Sequence, residues 1–206
     1  MNSIDKLTEI FSKFPGIGPR QAKRFVYYIL SRNGSFSSEL VTAVENLKKE
    51  ITQCAECQRF FVYPERSRGA KLCSICADDT RDSSMLMLVP RDIDLEAVER
   101  SGGYKGYYFV LGGVVPILEK EPEKKIRINK LQETISKRKN LKEVILAMNA
   151  NADGEHTADY IKEQLSTAYQ GKALAFSILG RGLSTGIELE YADPETLKNA
   201  FLHRTK

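Results

Sequence analysis

Four cysteines stand in two pairs, Cys54-x2-Cys57 and Cys73-x2-Cys76, separated by fifteen residues. Each C-x-x-C places two thiolates on one tight turn. Two such turns facing each other close a tetrahedron around Zn²⁺ at about 2.3 Å per sulfur, and the spacing falls in the range of zinc sites. All four metal positions are then filled, so no catalytic water can bind, and the single Zn²⁺ per chain is structural. It would hold together a segment whose only continuous apolar run is Phe60, Phe61, Val62 and Tyr63, too little to build a large core. The competing readings are four unrelated buried thiols or two disulfides. A reducing compartment disfavours the disulfides.

A second group is Phe14-Pro15-Gly16-Ile17-Gly18-Pro19-Arg20. Glycine has no Cβ and accepts positive φ, so the Gly-Ile-Gly turn lets the backbone approach a ligand with its N–H groups outward. The helix beginning at Pro19 adds the positive end of its dipole, which makes Gly16 and Gly18 part of a cradle for one phosphate. Arg20 and Arg24 lie one turn apart with Lys23 beside them, within reach of neighbouring phosphates. This is the pattern of a helix-hairpin-helix motif, which reads backbone rather than base edges, so binding is expected to be independent of sequence. The alternative is a tight αα-corner with incidental bases. Against it, no acid occurs between Glu9 and Glu39, an interval that holds Lys13, Arg20, Lys23, Arg24 and Arg32.

A third group follows the apolar run at Val144. The stretch to Glu155 resembles the second motif of the Toprim fold, a strand ending in Asp-x-Asp that leads to a Gly-Glu helix start. Asn149 and Asn151 occupy the two aspartate positions, and Pro90 stands where a catalytic Glu follows the first Toprim strand. Asparagine offers only a neutral carbonyl and proline no side-chain ligand, so Mg²⁺-dependent strand cleavage is not expected. The alternative is a Toprim-type Mg-dependent nuclease or topoisomerase that uses Asp92, Asp153 and Glu155, with Asp94 nearby. Nucleophilic catalysis has little to work with. His156 and His203 are the only histidines, and no nucleophile elbow, Walker A or dinucleotide fingerprint is present. Gly112-Gly113 is only a weak glycine signal.

The elements that must position these groups follow from periodicity. Ile4, Leu7, Phe11 and Phe14 predict a helix stopping at Pro15. Ala22, Phe25, Val26, Ile29 and Leu30 predict a second, starting at Pro19 with this stripe as core, and ended by Asn33-Gly34-Ser35. Leu40, Val44, Leu47 and Ile51 predict a third after Ser37-Ser38. Beyond residue 84, Met85 to Val89, Tyr107 to Leu111, Val144 to Met148 and Ala173 to Leu179 read as buried strands, and His156 to Gln170 as the clearest helix between them. Strands alternating with helices predict a mostly parallel sheet whose ligand sites lie beyond the carboxyl ends of its strands. Glu119 to Lys125 reads as an exposed charged loop.

The fold class is therefore a multi-module α/β protein. Its expected segments are a helix-hairpin-helix unit over 1–52, a small four-cysteine zinc module over 53–79, a Toprim-like domain over 80–178 and a tail over 179–206. The chain has 206 residues, 42% hydrophobic and 28% charged, which excludes collagen-like and broadly disordered classes. Its net charge of +4 is concentrated in residues 1–52, where eight basic residues face five acids. No stretch reaches the ~20 apolar residues of a membrane span and no signal-peptide pattern opens the chain, so a cytoplasmic location is expected.

The order of these modules resembles one family, the bacterial recombination mediators called RecR. The resemblance also rests on Cys73-Ser-Ile-Cys-Ala-Asp-Asp-Thr-Arg81-Asp82, Tyr108-Phe-Val-Leu-Gly-Gly113, Val144-Ile-Leu-Ala147, Arg181-Gly-Leu183 and Leu189-Glu-Tyr-Ala-Asp193, and covers essentially the whole chain. It implies a non-enzymatic, nucleoid-associated DNA repair protein that acts with RecO and RecF to load RecA on single-stranded DNA coated by single-strand-binding protein. It also implies a homo-oligomer, dimer or ring tetramer, joined through its N- and C-terminal regions and holding single-stranded, duplex or junction DNA. Carried onto this sequence, Arg20, Lys23 and Arg24 would face DNA, Cys54, Cys57, Cys73 and Cys76 would hold zinc, and Asp153 and Glu155 would face a protein partner. The chain departs from the family pattern at Glu119–Lys125, where a glycine-rich turn is usual, at Pro90, and at Ser184-Thr-Gly-Ile187, where a Pro and a second Gly are common.

Overall fold

A computed structural model describes residues 1–63, 71–169, 174–183, 186, 188–202 and 204. Gln170, Ala173, Ser184, Thr185, Ile187 and His203, named above, lie outside the described residues. The chain divides into two compact units. One is Met1–Thr52 with Val62 and Tyr63, and the other is Gln53–Phe61 with the described residues from Lys71 onward.

The first unit is helical. α1 (Ser3–Ser12) is capped by Asn2, whose side chain accepts the Asp5 N–H at 2.9 Å. α2 (Pro19–Leu30) starts at the proline, as predicted. α3 (Gly34–Glu50) begins earlier than Ser37-Ser38, because Asn33 caps it by accepting the Phe36 N–H at 3.3 Å. A run that stops one helix thus starts the next. Ile51 leaves α3 in extended conformation and opens β1 (Ile51–Gln53), which pairs with β2 (Phe60–Val62). The α2 stripe is only partly core: Ala22 and Val26 are buried, whereas Phe25 lies edge-on to Phe11 at 5.9 Å and Leu30 is exposed. Leu40, Val41, Val44 and Leu47 of α3 are also exposed.

The second unit is built on a four-stranded sheet in the order β4-β3-β5-β6, from β3 (Asp82–Val89), β4 (Gly106–Val110), β5 (Glu143–Leu146) and β6 (Ala175–Ile178). Every pairing is parallel, with Leu88 beside both Phe109 and Leu146. Continuous apolar runs make such strands because both faces are covered. The period of two splits them into two cores. Leu86, Leu88, Phe109, Val144 and Leu146 pack with Ile128, Leu131 and Ile135 of α5 (Ile128–Lys137) and Ala158, Ile161 and Leu165 of α6 (Ala152–Ala168). Met87, Val89, Tyr108 and Val110 pack on the other side with Leu95 of α4 (Asp92–Ser101) and with Cys54, Cys57, Cys73 and Ile75. The cysteine segment therefore has a core, shared with the sheet. α6 begins four residues before His156, because the Asn151 side chain accepts the Gly154 N–H at 2.9 Å. Glu119–Lys125 is closed by a Glu119–Lys125 ion pair at 3.0 Å around a 3-10 turn, Pro122–Lys124. α7 (Pro194–Leu202) follows Asp193, which accepts the Thr196 N–H at 2.9 Å. Among the described residues no helix is long and apolar enough to cross a membrane.

Candidate functional site

The four cysteine sulfurs all lie within 4.8 Å of one another. Cys57 and Cys73 are 3.5 Å apart, and Cys54 Sγ accepts the Cys73 N–H at 3.4 Å. A tetrahedron with ~2.3 Å metal–sulfur bonds has sulfurs about 3.8 Å apart, so the donor set fits one divalent ion. Cys54, Cys57 and Cys73 are buried and Cys76 is half-buried. Close contacts among the four thiols shift their pKa values in opposite directions. The hydrogen bond from Cys57 pulls the Cys54 pKa well down, and its counterpart pushes Cys57 up. Contact with Cys54 raises Cys73, but contacts with Cys57 and Cys76 outweigh it and leave Cys73 at about 7. Cys76 is pushed up, first by Cys54. Cys54, Cys57, Cys73 and Cys76 would hold a metal ion as thiolates, releasing their protons on binding.

The first cysteine turn is closed by Gln58, at φ 61° the only non-glycine residue with positive φ among those described. Its N–H bonds the Cys54 carbonyl at 3.1 Å, and its Nε2 donates to the Cys54 and Ala55 carbonyls at 3.2 and 3.1 Å. Asp92 fixes the chain just beyond, accepting the Phe60 N–H at 2.7 Å. Thr134 Oγ1 and the Arg138 guanidinium hold Glu56 from α5 and the residue after it.

In the hairpin, Gly16 has φ +76°, open only to glycine at little cost, and Ile17 N–H bonds the Phe14 carbonyl at 3.0 Å to close the turn. Gly18 is the N-cap of α2 and supplies no side-chain cap. Pro19 carries no N–H, so the amides of Arg20 and Gln21 are left without an intrahelical acceptor. A Cβ built on Gly16 or Gly18 would meet nothing within 4 Å, so the space in front of the turn is open. Arg20, Lys23 and Arg24 are exposed on α2, and Arg24 reaches only Gln21 Oε1, at 3.5 Å.

At the carboxyl ends of β5 and β6 a cleft of about 550 Å³ is lined by Met148, Asn149, Gly154, Glu155 and Arg181 among others. This is where an open parallel sheet places ligands. Asn151 is used as the α6 cap, Glu155 is paired with Arg181 at 2.7 Å, and Asp153 accepts the Ile117 N–H at 3.3 Å. Asp94 pairs with Arg91 at 3.1 Å. Asp92, Asp94, Asp153 and Glu155 thus have separate partners. The cysteines are the only group of three or more metal-holding side chains gathered among the described residues.

Comparison with known proteins places these parts together. Residues 4–48 match the family described as RecR, helix-hairpin-helix, residues 84–188 the Toprim domain and residues 182–205 RecR, C-terminal. The protein named Recombination protein RecR from Chloroflexus aurantiacus is 35% identical over 96% of this chain and 91% of its own length. Its namesakes from Cereibacter sphaeroides and Staphylococcus saprophyticus are 34% and 36% identical, each over 98% of this chain and 96% of theirs.

The chain belongs to the RecR family. Membership gives it a role in DNA recombination and repair. Two features of this RecR family member carry no obvious sequence signal. Arg127 crosses Gly112, where a Cβ would come within 2.9 Å of its guanidinium carbon, and donates to the Val110 carbonyl at 2.9 Å and the Gln58 carbonyl at 3.4 Å. Glu99 accepts from Arg81 and from Tyr108 Oη, the latter at 2.7 Å, tying α4 to β4. The only available hint was the glycine pair after β4, since Gly112 sits at φ +90°.

Proposed function

We propose that this protein holds DNA and performs no chemistry on it. The observation that supports this most is the hairpin: a glycine turn with open space before it, two amides without acceptors, and three exposed cations at the head of a helix that contains no acid. Such a surface suits the phosphodiester backbone and has no means of reading base edges, so binding is independent of sequence. Gly16, Gly18, Arg20, Lys23 and Arg24 are its contact residues. The absence of a gathered carboxylate set among the described residues, with Asn149 and Asn151 in place of acids, supports a role without strand cleavage.

The metal in this reading is Zn²⁺, which supplies four thiolate bonds and no open position, and Cys54, Cys57, Cys73 and Cys76 hold it. The modules act as 1–52 for DNA, 53–79 for zinc, 80–178 as the Toprim-like body and 179–206 for assembly. The exposed apolar side chains of α3 and of α7, where Phe201 and Leu202 are uncovered, suit self-association into a dimer or ring tetramer. Asp153 and Glu155, with the exposed Leu118 close in sequence to the Asp153-bound Ile117, form the face for a protein partner. Family resemblance names RecO and RecF as those partners, acting in the cytoplasm to load RecA on DNA coated by single-strand-binding protein.

Gel-shift titration of the whole protein on two DNAs of unrelated sequence tests the reading. Both are expected to bind alike, and the Arg20→Ala/Arg24→Ala variant to bind each on the order of tenfold more weakly. Unaltered binding by the variant removes the hairpin from the DNA surface.

A further inference from the structure

Beyond the cations, α2 carries two exposed aromatic rings. Tyr27 is 52% exposed and Tyr28 49%, close to the most exposed values for large side chains in this helix. At 100° per residue, Tyr27 stands within about 20° of Arg20 and between Lys23 and Arg24 on the face opposite Ala22 and Val26. Tyr28 lies one turn beyond Arg24. Along α2 from the glycine turn, the three cations are thus followed by the two rings on the exposed side of the helix.

The two rings differ in how they are held. Tyr28 is braced: the Arg32 guanidinium lies over its ring at 4.4 Å and donates to its hydroxyl at 2.8 Å, and Phe36 meets it edge-on at 5.9 Å. The Tyr27 side chain has no hydrogen bond or ring contact among the described residues and is 52% exposed. A tyrosine side chain has only two χ angles to order, so engaging it costs little entropy.

Exposed rings beside cations suit one class of DNA. In a duplex the base faces are stacked inside and only phosphates and groove edges meet a protein. In an unpaired strand each base offers a free π-face, and stacking on an aromatic side chain adds affinity without reading sequence. We propose that the exposed face of α2 selects unpaired DNA, Tyr27 and Tyr28 stacking on bases while Arg20, Lys23 and Arg24 hold the flanking phosphates. This rests on the hairpin being the DNA surface and specifies which form of DNA it prefers. The absence of acids between Glu9 and Glu39 is what favours a nucleic acid over a second copy of the chain as the occupant of these rings.

The test uses the whole protein and three labelled DNAs at one salt concentration: an oligothymidine strand, a strand of equal length built from abasic sites, and a duplex. The wild type is expected to bind oligothymidine on the order of tenfold or more tighter than the abasic strand, which has the same phosphates and no bases. Tyr27→Ala/Tyr28→Ala is expected to abolish that difference and to change duplex binding by less than about twofold, while Tyr27→Phe/Tyr28→Phe keeps it. Equal affinity of the wild type for the two single strands, or an equal loss on all three DNAs in the alanine variant, overturns the proposal. So does a fall in the alanine variant's solution mass with parallel losses on every DNA, which assigns the rings to self-association.

Arg20→Ala/Arg24→Ala separates the two levels. If it weakens all three DNAs while the tyrosine variants match the wild type, stacking fails and the DNA surface stands. If it leaves all three unchanged, the DNA surface itself fails. Photocrosslinking of the wild type to a strand carrying 5-iodouracil is independent of variant folding. Adducts on Tyr27 or Tyr28 support the proposal, and adducts confined to other residues overturn it.

Discussion

The Val110 N–H bonds the Cys57 carbonyl at 2.8 Å. Val110 is in β4, an edge strand, and the next amide, Leu111, bonds Val89 of β3 at 2.9 Å on the opposite side. The free edge of the sheet is therefore occupied by the cysteine turn, which covers one of the amides an edge strand leaves open. Metal site and sheet are one folding problem.

Metal removal is accordingly expected to loosen more than a surface knuckle. With Cys54, Cys57 and Cys73 packed on Met87, Val89, Tyr108 and Val110, the Cys57→Ser chain should lose its metal and at least ~3 kcal/mol of stability. Elemental analysis of the wild type should find one ion per chain. A variant that melts at the wild-type temperature contradicts this coupling.

Glu99 gives a pH dependence. Burial pushes its carboxyl up, but the hydrogen bonds from Arg81 and Tyr108 outweigh burial and hold its pKa below the usual value of 4.5. A carboxyl with a lower pKa in the folded chain adds stability above the unfolded value and loses it as pH falls through the folded one. Glu99→Gln should cost roughly 1–2 kcal/mol at neutral pH, allowing for the partial exposure of the pair, and should flatten the loss of stability below pH 4.5. Urea melts across that range read both effects.

Two glycines should resist alanine. Gly112→Ala strains φ +90° and crowds Arg127, and Gly154→Ala drives a Cβ into the Asn149 carbonyl. Each is expected to lower stability by about 1–3 kcal/mol in thermal melts. Gly16→Ala carries the positive-φ cost alone, about 1 kcal/mol, because nothing lies within 4 Å of its Cβ.

Asp92 is assigned to architecture. Asp92→Ala should cost about 1 kcal/mol through the lost Phe60 N–H acceptor, and Asp92→Asn should retain most of it. Supercoiled plasmid incubated with Mg²⁺ should stay uncut by wild type and variant alike. Nicking that vanishes with Asp92→Ala or Asp153→Ala would restore the nuclease reading.

The sequence was legible where one residue type has one physical use. Pro19 marked the start of α2, the apolar run Met85 to Val89 marked a strand covered on both faces, and the paired C-x-x-C spacing marked the metal cluster. It misled over where helices begin: Asn33 closes one turn and also caps α3, and Asn151 caps α6, which starts four residues before His156. Contacts such as Asp92 with Phe60 join residues 32 apart in the chain, and no local pattern encodes them. Nor does composition reveal that Gln58 takes a left-handed backbone to close the cysteine turn, a position glycine would fill at less cost. The α2 stripe read as core because periodicity reports amphipathicity, not how much of the apolar face a partner helix covers.

The central claim is that guanidinium groups and main-chain amides of the hairpin grip phosphates. It is tested most directly by measuring duplex affinity against salt concentration for the wild type and for Arg20→Ala/Arg24→Ala. The logarithmic slope should become shallower by about 0.9 for each lost contact, near 1.8 in all, and by the same amount on two unrelated sequences. Parallel slopes for the two proteins, or a change confined to one sequence, would contradict it.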